Sequence, residues 1–184
     1  MKFRAVAISP RIGARITGVC YLLYFFTAAS ANVLVGRDRV VIFDAVNLIA
    51  YALYVAVTLR FYYMFRPVNR ILSLLAALFS LLVCINDVLS LFYLAPYQIS
   101  SLTFFGPYCL PIGYLIMRST FLPRILGALM ALAGVGWLFY LYSPANPLSI
   151  YVEVLGVLAE ASLMLWLVVR GVKNPGRKVQ ATAS

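Results

Sequence analysis

Long apolar runs follow one another along the chain, broken only by short polar turns. Each is close to the roughly 20 residues that a helix needs to cross the hydrocarbon of a bilayer. Six are read, at about 12–35, 40–65, 71–96, 100–117, 125–143 and 148–170, by that length criterion. Gly36-Arg37-Asp38-Arg39 closes the first run, and Arg66-Pro67-Val68-Asn69-Arg70 parts the second from the third. Pro144-Ala145-Asn146-Pro147 precedes the sixth. Proline lacks an N–H and restricts the residue before it, so these are predicted helix ends. Backbone in lipid must satisfy its own hydrogen bonds, which favours helices. The runs are continuously apolar, unlike the alternating segments of a barrel strand. The predicted fold class is all-α, an integral membrane bundle of six transmembrane helices. Residues 1–184 form a single transmembrane domain in this reading, with 171–184 as a basic cytoplasmic tail.

Composition agrees with that pattern. Hydrophobic residues make up 64% of the chain and charged ones 11%, with a mean hydropathy of +0.97. A soluble domain is nearer half apolar and a quarter charged. A water-soluble globule, a disordered tail and a disulfide-stapled secreted domain are thereby excluded. The chain has no histidine, which removes His-ligated haem, His-ligated zinc and Ser-His-Asp catalysis. Cys20, Cys84 and Cys109 all fall inside predicted spans without metal-ligand spacing, and read as packing residues. No metal or cofactor is expected.

Charge gives the orientation. The net charge is +10. Thirteen of the 15 cations lie at the N-terminus, the second loop, the fourth loop and the C-terminal tail. With six spans these four regions share one side, and only Arg37 and Arg39 fall on the other. The positive-inside rule then predicts that both termini are cytoplasmic. The first span is expected to be a retained anchor, since no small-residue cleavage site follows its apolar run. The expected location is the bacterial cytoplasmic membrane. Membrane lipids are the expected partners, together with a second copy of the chain or another membrane protein. Cations scattered over four membrane-flanking patches do not make a nucleic-acid surface.

Polar groups inside the spans carry the functional reading, because ionisable side chains at membrane depth are costly and face a bundle interior or a wet cavity. Of five acids, only Asp38 is in a loop; Asp44, Asp87, Glu153 and Glu160 lie within spans. Asp44, Asn47, Tyr51, Tyr54 and Thr58 are spaced as one helical face. Ser80, Cys84, Asp87 and Ser90 form a second such face, and Ser149, Glu153, Gly156 and Glu160 a third. Thr17, Tyr21, Tyr24 and Ala28 follow a similar pattern in the first helix. Turned toward one another, these faces predict an acidic, tyrosine-rich cavity open to the outer side, with Arg37 and Arg39 at its rim. The fourth run holds Gly106, Pro107, Pro111 and Gly113, and is expected to be kinked or partly unwound. Gly127, Ala131 and Gly134 put small residues on one face of the fifth, a pattern that suits close helix packing.

Several stretches resemble the bacterial membrane family known as domain of unknown function 4386. They are Arg15-Ile16-Thr17-Gly18 leading into Tyr21-Leu22-Leu23, then Arg66-Pro67-Val68-Asn69-Arg70, the run from Phe104 to Leu138, and Glu160 through Lys173. The resemblance implies a similar span count and a membrane location, and brings no mechanism, since the family has no established activity. Members often carry a histidine in the fourth helix where this chain has Tyr108, and an Arg and a Glu in the third helix near Ser80 and Val83. Glu160 and Trp166 match the family pattern.

The functional expectation is binding or transport of a small amphipathic or lipid-like molecule, with Asp87 and Glu160 as proton or cation partners and Tyr24, Tyr51 and Tyr54 as hydrogen-bond donors. Two alternatives stand beside it. One is a membrane enzyme using buried Asp or Glu as general acid on an isoprenoid or lipid substrate, although neither an Asp-rich diphosphate motif nor a P-loop is present. The other is a structural or accessory membrane subunit.

Overall fold

The computed structural model describes residues 9–35, 39–94, 100–142 and 149–172, the side chains of 140–142 excepted. Among these residues every regular element is helical. The helices are α1 (Pro10–Ser30), α2 (Val40–Phe65), α3 (Arg70–Leu91), α4 (Leu102–Arg118), α5 (Arg124–Tyr142) and α6 (Ser149–Val169). A π-helical stretch, Ala31–Val35, prolongs α1.

The ends have local causes. Ser9 caps α1, its hydroxyl accepting from Ile12 N at 3.3 Å, and Pro10 occupies the first turn, where no N–H is needed. Asn69 caps α3 through Leu72 N at 3.0 Å. The hydroxyl of Ser73 then donates to Tyr62 O at 2.9 Å and fastens the α2–α3 turn. α3 stops at Leu91, short of Pro96 where the apolar run ends. Tyr93 adopts a left-handed backbone (φ 57°), and Leu94 N reaches back to Leu89 O at 2.8 Å. That six-to-one bond is a helix-terminating motif normally built on glycine. α4 runs through Pro107 and Pro111 as one helix, so the expected unwinding is not found.

The helices form a closed ring. Each packs against its neighbour in sequence, and α6 returns to α1. Glycines set the closest approaches. A Cβ on Gly113 would stand 2.7 Å from Gly127 O and Ala131 N, so α4 and α5 touch backbone to backbone. Gly18 does the same for α1 against α6, at 2.6 Å from Val168 N. Thr58 and Ser80 share a 2.6 Å hydrogen bond between α2 and α3.

Polarity is inverted relative to a soluble bundle. Thr17, Asn47, Thr58, Ser73, Ser80, Asn86 and Glu160 are buried, whereas Val41, Ile49, Leu78, Ile125 and Val154 are exposed. Such an apolar exterior suits lipid. Four segments are long and apolar enough to cross a membrane: Pro10–Val35, Val40–Phe65, Arg70–Leu91 and Ser149–Val169. The remaining two are shorter: α4 has 17 residues and α5 has 19.

Candidate functional site

A cavity of about 300 Å³ lies inside the ring. Each helix supplies one functional side chain to it: Tyr24 from α1, Tyr54 from α2, Asp87 from α3, Phe105 from α4, Trp137 from α5 and Glu160 from α6. The closed ring is what makes this possible, since a side chain from every helix reaches the common interior.

The aromatic residues stand in two pairs. Tyr24 and Tyr54 lie with ring centroids 4.7 Å apart. Phe105 and Trp137 meet edge to face at 5.6 Å. Gly156 makes room for the indole, because a Cβ there would stand 2.7 Å from Trp137 Nε1.

The two carboxyls are held differently. Asp87 is half-buried. It accepts from the hydroxyl of Ser101, which in turn accepts from Asn86 Nδ2 at 3.0 Å. Glu160 is only 7% exposed and sits beside Tyr21. Glu160 Oε1, Tyr21 Oη and Tyr54 Oη are nonetheless buried without a hydrogen-bond partner of ordinary geometry. The cavity thus has one carboxyl fixed by Ser101 and another deeply buried beside Tyr21.

Of the residues singled out from sequence, the structure brings Tyr24, Tyr54, Asp87, Gly156 and Glu160 to this cavity. Asp44, Asn47 and Tyr51 share the face of Tyr54 but are not among the lining residues. Asn47 is buried and donates to Phe43 O of its own helix at 2.9 Å. Asp44 and Tyr51 are half-buried. Glu153 is exposed, one turn of α6 before Gly156. Arg39 is exposed ahead of α2, and Arg37 lies outside the described residues. Ser101, Phe105 and Trp137 also line it without having been expected, as do the aliphatic Val83, Leu102 and Val157. Trp137 continues the small-residue face Gly127, Ala131, Gly134 by three more residues, which was its available signal.

Among the described residues no group of three or more metal-ligating side chains is brought together. Cys84 and Cys109 are buried and unbridged, and Cys20 is half-buried and also unbridged.

Residues 96–171 match the family described as "Domain of unknown function (DUF4386)". A protein of Archaeoglobus fulgidus, titled "Uncharacterized protein", is 30% identical over 133 residues, covering 65% of this chain and 77% of its own length. The chain belongs to the DUF4386 family. The family match runs through α4, α5 and α6, and so contains Phe105, Trp137 and Glu160. No solved structure matches the chain.

Proposed function

We propose that this DUF4386 protein binds a small amphipathic molecule carrying a cationic or proton-donating head, inside the membrane, between Asp87 and Glu160. The observation that carries the reading is the cavity to which all six helices contribute, with two carboxyls and two aromatic pairs on its wall. Carboxyls draw an ammonium head, and aromatic faces attract both its charge and its alkyl chain. The volume of about 300 Å³ suits a short amphiphile better than a two-chain lipid.

All six helices cross the bilayer in this reading. At 1.5 Å per residue α4 spans about 26 Å and α5 about 29 Å, close to the hydrocarbon thickness of about 30 Å. Both termini are cytoplasmic in this reading, which the cation distribution supports, and Asp87, near the end of α3, then lies in the outer half. The ligand enters from that side. Transport of the same molecule is the natural extension of binding it.

The test uses three probes of equal chain length: octylammonium, octanol and octanoate. Trp137 is the reporter, in a Trp166→Phe background that leaves a single indole. Octylammonium is expected to change Trp137 fluorescence saturably at the lowest concentration, octanol at about tenfold higher, and octanoate hardly at all. Equal responses to all three would show that the carboxyls do not select the head group, and would refute the reading.

A further inference from the structure

The opposite end of the ring holds a second and larger cavity, of about 840 Å³. It lies between the start of α1, the α2–α3 turn and the end of α4. Arg60 and Arg118 line it, with Asn69 and Thr120 as neutral polar groups and Met64 and Phe121 on an apolar wall.

Arg60 is the telling residue. It lies within α2, half-buried. Its partners are both neutral and both on α1: Nε donates to Thr17 Oγ1 at 3.3 Å, and Nη2 to Gly13 O at 2.8 Å. A guanidinium carries five N–H groups, so most of its donor capacity is left for something else. No ion pair reaches it among the described residues; the acids there lie early in α2 (Asp44), late in α3 (Asp87), and at the start and middle of α6 (Glu153 and Glu160). A cation at membrane depth without a counter-charge is costly. Yet the fold makes space for it: a Cβ on Gly13 would stand 2.7 Å from Arg60 Nη2. Helix dipoles do not supply the charge, since α1 and α3 present N-termini here while α2 and α4 present C-termini, and these offset one another.

We propose that this cavity binds the phosphoryl head of an anionic amphiphile, with Arg60 as the inner anchor and Arg118 as the outer clamp. The planar fork of arginine matches phosphate oxygens and accepts desolvation better than lysine does. The apolar wall takes the acyl or prenyl chain. Separate residues form this site and the Asp87–Glu160 cavity, so either stands if the other fails.

The test measures lipid binding to the full-length protein in a non-ionic detergent by native mass spectrometry. The probes are dihexanoyl phosphatidic acid, dihexanoyl phosphatidylcholine and inorganic phosphate. Phosphatidic acid is expected to bind best, and Arg60→Gln and Arg118→Gln each to weaken it tenfold or more. Gly13→Ala, which displaces the guanidinium while keeping it, is expected to weaken it several-fold. Should Arg60→Gln not fold, Arg118→Gln and Gly13→Ala carry the same test. Displacement of the lipid by millimolar inorganic phosphate would support the phosphoryl site and show that it takes the free anion also; failure to displace would identify the lipid head as its source. Equal binding of phosphatidylcholine, or unchanged binding in both Arg118→Gln and Gly13→Ala, would overturn the proposal.

Discussion

Ser101 bridges the end of α3, accepting from Asn86 Nδ2 at 3.0 Å and donating to the carboxylate of Asp87. A residue just ahead of α4 thereby sets where a carboxyl on α3 points. Ser101→Ala is expected to cost about 1 kcal/mol, the usual net worth of a hydrogen bond. It should also weaken octylammonium binding several-fold, because Asp87 loses its fixed position. Ser101→Thr keeps the hydroxyl and should restore most of both. Thermal unfolding and Trp137 titration read the two effects separately, and unchanged binding in Ser101→Ala would remove Asp87 from the site.

Glu160 poses a sharper question. Glu160→Gln keeps the shape and hydrogen bonding of the side chain and removes its charge. Glu160→Ala removes all three. If the carboxylate pairs with a cationic head, both variants should lose octylammonium at least tenfold while Glu160→Gln binds octanol like the wild type. Retained octylammonium binding in Glu160→Gln would reduce the residue to a hydrogen-bonding role.

The α4–α5 contact rests on backbone proximity. A Cβ on Gly127 would stand 2.7 Å from Met117 N, and neither backbone can yield without moving its helix. Gly127→Ala is therefore expected to destabilise by about 2 kcal/mol or more, in the range of overpacking changes. Gly136→Ala is the control, because its nearest neighbour is a Val152 methyl at 3.2 Å. A difference of less than 0.5 kcal/mol (about the scatter of surface substitutions) would contradict the close crossing.

Orientation is checked from the C-terminus. A green fluorescent protein fused after Ser184 is expected to fluoresce, and alkaline phosphatase fused there to be inactive. The reverse pair of results would invert the topology and place the carboxyl cavity in the inner half of the bilayer.

The helices were legible because each is written as a single long apolar run. α2 begins and ends where its run does, and α5 and α6 lie within a residue of theirs. The third run overshoots. Phe92, Tyr93 and Leu94 are as apolar as a helix interior, and the left-handed turn at Tyr93 leaves no trace in hydropathy. Helical spacing gave the faces but not the levels. Asp44 and Tyr54 share a stripe, yet ten residues at 1.5 Å each separate them by about 15 Å along the axis, and only Tyr54 lines the cavity. Phe105 carries no polar contrast within its apolar run, so only the ring closure reveals it, whereas Trp137 could have been found on the small-residue face of α5. Arg60 counted as one more cation flanking a loop, when in the structure it turns inward onto α1.

Carboxyl labelling tests the central proposal most directly. A hydrophobic carbodiimide is applied to the protein in vesicles, with and without octylammonium, and adducts at each acid are mapped by mass spectrometry. Octylammonium is expected to protect Asp87 and Glu160 together and to leave Glu153, exposed on the same helix as Glu160, labelled as before. Protection of all three alike, or of neither Asp87 nor Glu160, would contradict an amphiphile seated between those two side chains.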